Sequence, residues 1–311
     1  EHFIKIKTSK VVKETNISDW RRSICGDLTS VFRPANEQPI NIEPLERNKF
    51  IESIYAARFK PLPGNFNVLS QQQITKATQT DTLKQIMPAQ EPGVKPSNAL
   101  PYQHEVNIVQ LANGVLELNF EAGKSLFGIK SAAAAFQVYA PGMFKMIKDG
   151  KPEEVQMNQW NFCVLAGDQI NYQWSLNDFI DEHYLLECYG ANGFFRSFKG
   201  AKQSAGLNVK VSSELLNINL ATGNVDVKLF ANKDVKVLII DNAYGVAEKN
   251  ITLKKGKNIT SVIDTQKSGG WYDFTISIVG DDIFEQRYAG RVETGKQSIS
   301  DPFMGRVKLK K

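Results

Sequence analysis

Histidine and cysteine are scarce in this chain of 311 residues, with three of each. His2, His104 and His183 stand far apart, and none has a metal-ligand spacing such as H-x-x-x-H. His104 is expected to be exposed ahead of the first strand, and His183, after Asp181-Glu182, to lie at a surface or rim. Cys25, Cys163 and Cys188 form no C-x-x-C pair and are odd in number. Cys163 and Cys188 sit in apolar, strand-like runs and read as buried thiols, a bridge between them being the alternative in an exported chain. A G-x-S-x-G nucleophile elbow, a phosphate-binding P-loop and an EF-hand pattern are all missing. The neighbouring carboxylates Glu153-Glu154 and Asp281-Asp282 would point to opposite faces of a strand, and they read as turn residues. A hydrolase needs an activated nucleophile with a base or a metal, and these residues supply neither.

Long apolar runs are missing too. None approaches the ~18 residues that span a bilayer, and no charged stretch followed by an apolar one marks a signal peptide. The first residue is Glu1, which fits an excised or processed chain. A strong charge of one sign is also lacking. The net +5 is spread out, with 14 Lys and Arg against 10 Asp and Glu over residues 1–104, 8 against 11 over 105–205, and 16 against 12 over 206–311. It concentrates only in Lys254-Lys255-Gly256-Lys257 and the tail Lys308-Leu309-Lys310-Lys311. There is no basic stripe with interleaved aromatics, so nucleic acid is not an expected partner. Weak contact with anionic phospholipid headgroups is what such a charge pattern allows.

Hydrophobic residues make up 42% and charged residues 23%, a globular composition, and the length suits two or three domains. Nine of the twelve prolines fall before residue 105. They interrupt regular pairing, so residues 1–104 are expected to be irregular with a few helices. Ser18 can cap one short helix. Pro44 can open another to about Phe59, with Leu45, Ile51, Ile54 and Tyr55 along one side. Ser70-Gln71-Gln72-Gln73 has capping-box spacing for a third, poor in apolar residues, that stops before Pro88. After residue 104, short alternating runs recur between Gly, Asn and Asp, among them Val106–Val109, Val115–Phe120, Phe136–Ala140, Trp160–Val164, Tyr184–Tyr189, Leu215–Leu220, Val235–Ile240 and Ile283–Val292, with a hairpin at Asn113-Gly114. Gly190, Phe194, Phe198 and Gly200 align with Gly280, Phe284, Tyr288 and Gly290 at a constant offset of 90, and Leu186 with Ile276. The expected fold is therefore mainly β. Two tandem antiparallel β-sandwich domains, residues 105–205 and 206–311 with its basic tail, follow the partly helical segment 1–104.

Residues 18–31 read Ser18-Asp19-Trp20-Arg21-Arg22-Ser23-Ile24-Cys25-Gly26-Asp27-Leu28-Thr29-Ser30-Val31. The string resembles the W-R-R-x-x-C-G-D-L-T-S signature of bacterial phosphocholine-specific phospholipases C, of the alkaline-phosphatase-like superfamily. Gln90-Glu91-Pro92-Gly93-Val94-Lys95-Pro96 with Leu100-Pro101-Tyr102, and Gly290-Arg291-Val292-Glu293-Thr294-Gly295 with Ser298-Ile299-Ser300-Asp301-Pro302, point the same way. The resemblance implies the C-terminal half of such an enzyme, with tandem C-terminal domains. It places the nucleophilic hydroxyl, the acidic metal ligands and choline recognition upstream of Glu1. It further implies that residues 1–104 contain the tail of the catalytic domain and a linker, that this domain is the chain's partner, and that the protein is secreted or periplasmic. No cofactor is expected within the chain, and a metal ion belongs with the catalytic half.

Two clusters carry alternative readings. Trp20, Arg21, Arg22, Cys25, Gly26 and Asp27 can grip a phosphodiester through paired guanidinium groups. They can equally form a structural lock, with one Arg paired to Asp27 under Trp20, and this second reading is favoured. Trp160, Tyr172, Trp174 and Tyr184 offer the composition of an aromatic cage for a quaternary ammonium group. The inner face of a sandwich has the same composition, and core is the expected outcome. The chain as a whole reads as the accessory part of a phospholipase C that is inactive alone. The alternatives are a stand-alone module for carbohydrate or lipid headgroups, and a structural or sorting domain of an exported protein.

Overall fold

A computed structural model describes residues 2–17, 46–61, 70–77, 94–111, 114–149, 151–202 and 206–304. It divides into two compact units, Glu1–Glu37 with Val94–Pro302, and Gln38–Gly93 with Phe303–Lys311. The expected helix capped by Ser18 lies outside the described residues.

Three helices precede the strands: α1 (His2–Thr8), α2 (Arg47–Ala57) and α3 (Gln71–Ala77). In α3 the capping box forms as its spacing requires: Gln73 N donates to Ser70 Oγ at 3.3 Å and Ser70 N to Gln73 Oε1 at 2.8 Å. None of the residues of α2 is buried, and its apolar side chains Phe50, Ile51, Ile54 and Tyr55 are all more than half exposed.

Within the larger unit the strands are β1 (Pro96–Ser97), β2 (His104–Gln110), β3 (Val115–Ala122), β4 (Ala134–Lys148), β5 (Lys151–Val164), β6 (Gln169–Ser175), β7 (His183–Tyr189) and β8 (Phe195–Ala201). They continue with β9 (Leu207–Asn217), β10 (Leu220–Ala231), β11 (Val235–Asp241), β12 (Lys249–Leu253), β13 (Asn258–Ile263), β14 (Trp271–Ile278), β15 (Asp281–Arg291) and β16 (Ser298–Ile299). The protein is mainly β, the strand pairings among the described residues are antiparallel, and the described α-helices all precede the strands.

Strands β2 to β8 and β9 to β15 repeat one topology. The first seven form the sheets β2-β3-β6 and β8-β7-β4-β5, and the second seven form β9-β10-β13 and β15-β14-β11-β12. The two halves also join edge to edge. Strand β8 pairs with β15, which joins their larger sheets into one of eight strands. Both are edge strands of their own halves, and pairing them leaves neither edge open. The three-stranded sheets meet as well. Asn107 on β2 donates through Nδ2 to Val211 O on β9 at 3.3 Å and accepts from Val211 N at 2.8 Å, a side-chain amide standing in for one rung of a ladder. Leu118, Phe136 and Leu186 of the first half and Val227, Phe274 and Ile276 of the second belong to one buried cluster.

The seam has a local two-fold. Ser197 faces Arg287 across it, and these are equivalent positions at the offset of 90. Phe198 and Gln286, and Arg196 and Tyr288, are opposed on the buried side, while Lys199 faces Glu285 on the open side. The offset needs one correction. Tyr184 pairs with Gly200 and Tyr272 with Gly290, so β7 and β14 correspond at 88, and Leu186 matches Phe274 rather than Ile276. The connection 190–194 in the first half is replaced by Val279-Gly280 in the second. Gly280 turns at φ 85 in open space, whereas Gly190 is packed against Phe194 and Phe136, so these two glycines serve different ends. The β4–β5 hairpin is far longer than the runs Phe136–Ala140 and Trp160–Val164. A bulge between Ala140 and Met143 absorbs Pro141-Gly142, which lets pairing resume to Lys148–Lys151. Leu215–Leu220 is the tip joining β9 to β10 rather than a strand of its own.

Candidate functional site

The segments Val94–Tyr102 and Gly290–Pro302 meet. Pro96 pairs with Ile299 and Ser97 with Ser298. Lys95 N donates to Ser300 Oγ at 3.0 Å, and Ser300 N to Lys95 O at 2.8 Å. Behind this pairing, Arg291 and Glu293 form an ion pair at 3.5 Å with side chains 2% and 1% exposed. Glu293 also accepts from Leu100 N at 3.2 Å and from Asn192 Nδ2 at 2.8 Å. Arg291 Nη1 donates to Ser97 Oγ at 3.1 Å, and its guanidinium lies over the Trp271 ring, whose Nε1 donates to Ile299 O at 3.0 Å. Burial pushes the Glu293 carboxyl up, and Arg291, Leu100 N and Asn192 pull it back. Such a buried pair fixes one geometry of the strap formed by β1 and β16, because breaking it would strand a charge.

Next to this junction lies a second buried cation, Arg196, on β8 and 2% exposed. Its Nη1 donates to Phe195 O at 2.9 Å and Ala289 O at 2.8 Å, and its Nη2 to Tyr272 Oη at 2.9 Å. The guanidinium carbon sits 4.0 Å from the Phe194 ring centroid, 5.6 Å from that of Tyr272 and 5.2 Å from that of Tyr288. His104 lies beside it, against Tyr102, Phe136 and Phe194. Instead of standing exposed, His104 is half-buried as the first residue of β2, and its Nε2 is buried without a hydrogen-bond partner. Desolvation first, and the charge of Arg196 second, hold its pKa down at about 4. His183 is exposed, its Nδ1 2.7 Å from Asp181 O.

Three of the four aromatics considered as a cage come together. Trp174 meets Trp160 edge-on at 5.2 Å and Tyr172 at 4.6 Å between ring centroids. Tyr184 lies apart, in contact with Phe179 at 6.3 Å and packed over Gly200. Rings meeting edge to face fill one another's faces, leaving little open π surface for an ammonium group. Trp174 and Tyr184 are buried and Tyr172 is 39% exposed. Cys188 is buried and Cys163 exposed, with no disulfide between them. Cys163 takes the outward register of β5, between the buried Phe162 and Val164, so the alternation of the strand places its thiol in solvent rather than in the core. Among the described residues no group of three His, Cys, Asp or Glu could hold a metal ion. No described helix is long and apolar enough to cross a membrane.

The family model for the bacterial phospholipase C, C-terminal domain, matches residues 96–201 and 208–291. The chain belongs to this family. The two matched stretches take in β1 to β8 and most of β9 to β15, one topological repeat each. A non-hemolytic phospholipase C from Pseudomonas aeruginosa is 32% identical over 307 residues, 94% of this chain and 38% of that protein. One from Burkholderia pseudomallei is 30% identical over 306 residues, 94% of this chain and 37% of that protein. A hemolytic phospholipase C from Pseudomonas aeruginosa is 30% identical over 318 residues, 40% of its length. The chain thus spans about two fifths of the length of these curated relatives. Trp20, Arg21, Arg22, Cys25, Gly26 and Asp27 lie outside the described residues. In the bacterial phospholipase C C-terminal domain described here, sequence reasoning missed Arg196 and the partnership of Arg291 with Glu293. A signal for Arg196 is visible in Phe194-Phe195-Arg196-Ser197-Phe198, where a charge takes the inward register of an apolar strand.

Proposed function

We propose that this chain is the accessory C-terminal region of a phosphocholine-specific phospholipase C. Hydrolysis of phosphatidylcholine-type lipids to diacylglycerol and phosphocholine falls to a catalytic part outside it, and any metal ion belongs with that part. The observation that carries the reading is the strap β1–β16, which joins two family-like segments over the buried Arg291–Glu293 pair, while the described residues offer no nucleophile with a base. This is how a rigid scaffold is built. In that setting the apolar side of α2, with Phe50, Ile51, Ile54 and Tyr55 exposed, is a surface for the catalytic part to cover. A protein of this kind acts outside the cytoplasm, secreted or periplasmic.

Weak phospholipid contact is part of the same proposal, and one surface suits it. The β9–β10 tip exposes Leu216 at 70% and Ile218 at 74%, and the β3–β4 connection exposes Ile129 at 103%. With the Asn219 amide turned so that its oxygen and nitrogen both find partners, its nitrogen donates to Ser125 O at 3.0 Å, which places these loops side by side, with Lys124 and Lys130 alongside in the sequence. Apolar tips with lysines nearby are the composition that enters a lipid interface.

The reading is tested by hydrolysis of p-nitrophenylphosphorylcholine. The chain alone should match a heat-killed control, and joining it to the polypeptide encoded directly upstream in its reading frame should give turnover. Turnover by the chain alone, abolished by a substitution within residues 1–311, would overturn it.

A further inference from the structure

We propose that the cavity between the two halves, bordered by Tyr102, His104, Asn192, Arg196, Tyr272 and Arg291, is a binding site for one small monovalent anion of halide size, with Arg196 as its charge partner.

The starting point is a buried charge with no counter-charge in contact. Among the described residues Arg196 forms no ion pair, although it is 2% exposed. A guanidinium has five N–H donors. Three hydrogen bonds from Nη1 and Nη2 go to two carbonyls and a hydroxyl, all neutral. Its Nε is buried and unpartnered. The same holds for Arg291 Nε and His104 Nε2, and all three residues border the cavity. Two buried guanidinium N–H donors on residues around one space, with an imidazole nitrogen that becomes a third in the tautomer protonated at Nε2, are costly unless something accepts from them. Carbonyls and ring faces offset part of the cost of burying Arg196, but they do not neutralise it.

The acids nearby do not do so either. Glu293 itself borders the cavity, but its carboxylate is committed to Arg291, Leu100 N and Asn192. Glu105 interacts with Arg196 only through space. Burial, then the charge of Glu121 directly across the β2–β3 ladder, pushes its carboxyl up to about 7, so near neutrality it carries only part of a charge.

Size selects the ligand class. The cavity is about 20 Å³, room for one water- or halide-sized occupant and too small for a phosphate or a lipid headgroup. A water would satisfy donors but leave the charge. A halide does both.

The repeat supplies an internal control. Gln286 is the two-fold equivalent of Arg196 across the seam, and it is also buried, with Oε1 accepting from Tyr288 Oη at 2.6 Å. The fold therefore accommodates a neutral amide at this position, and the cation in the other half is not demanded by packing.

The test is thermal unfolding of the 311-residue chain in sodium chloride and bromide against sodium gluconate at matched ionic strength. The melting temperature should rise and saturate with halide, by about 2–3 °C at tenfold excess over Kd. Arg196→Gln should erase the difference between the salts, and Arg196→Lys should keep part of it. Crystals of the unaltered chain grown in bromide should show one anomalous peak in the cavity, a readout that does not depend on any variant folding. No halide-specific shift would overturn the proposal, as would a cavity holding only water. A peak at crystal concentrations with no shift in solution would mean an adventitious ion only, and would overturn it too. None of these readouts depends on the phospholipase assignment.

Discussion

At the scale of single residues, this protein is governed by what stands opposite its glycines and by which acids are buried. Gly200 and Gly290 occupy equivalent places in the two halves, each facing a tyrosine. A Cβ on Gly200 would lie 2.5 Å from Tyr184 Oη, and one on Gly290 3.0 Å from Tyr272 Oη. Gly200→Ala should therefore cost about 1–3 kcal/mol by forcing the buried Tyr184 aside, as small-to-large changes in packed cores do. Urea unfolding with an unchanged m value would measure it, and a wild-type midpoint would show that Tyr184 moves freely. Glu105 makes a prediction about pH. Its folded pKa, about 7, is raised above the unfolded value, so the folded state holds its proton more tightly. The associated stability is present in full below the unfolded pKa near 4.3 and is lost as pH rises towards 7. Glu105→Gln should flatten this part of the stability curve and gain on the wild type at pH 8 by about 1–3 kcal/mol. Parallel curves for the two proteins between pH 4.5 and 7 would refute the assignment.

At the scale of elements, alternation told most of the story. The runs Val115–Phe120, Tyr184–Tyr189 and Val235–Ile240 are strands because their side chains divide cleanly between a core and an open face, and periodicity of two is visible in any sequence. The capping box at Ser70 was equally legible, since its two bonds are local. The outer half of the β4–β5 hairpin was not. Pro141-Gly142 looks like an end of pairing, and only the bulge in three dimensions shows that it is not. The apolar neighbours of Cys163 point to an inward thiol, yet those neighbours are the buried ones and it takes the alternate register. The burial of His104 leaves no local sign in the sequence, because Phe136 and Phe194 arrive from distant parts of the chain. The β9–β10 tip offers the element-scale prediction. Replacing Leu216 and Ile218 together by Asp should lower partitioning onto phosphatidylcholine–phosphatidylserine vesicles by about tenfold or more, given what burying two such side chains contributes. It should leave the melting temperature nearly unchanged, because both side chains are exposed. Unaltered sedimentation with vesicles would remove this tip from any lipid contact.

At the scale of the whole molecule, the question is whether the two halves fold as one. A repeat whose units touched only through a linker would unfold in two steps. Here β8 and β15 share a ladder, Asn107 and Val211 join the other layer, and side chains from both halves make up one buried cluster. Opening either half would expose the apolar seam face of the other and strand Arg196, which donates across the seam to Ala289 O and Tyr272 Oη. Local openings of that kind are then nearly as costly as global unfolding. The helices differ, since α2 buries none of its residues. Native-state hydrogen exchange should therefore show two classes. Amides of α2 and α3 should exchange early, by fraying. The central strands β7, β8, β14 and β15 should exchange late and together, with one common free energy that falls in parallel as urea is added. If β7 and β8 were to exchange with a free energy clearly below that of β14 and β15, the halves would be independent folding units, and the shared sheet a contact between them rather than a bond that makes them one.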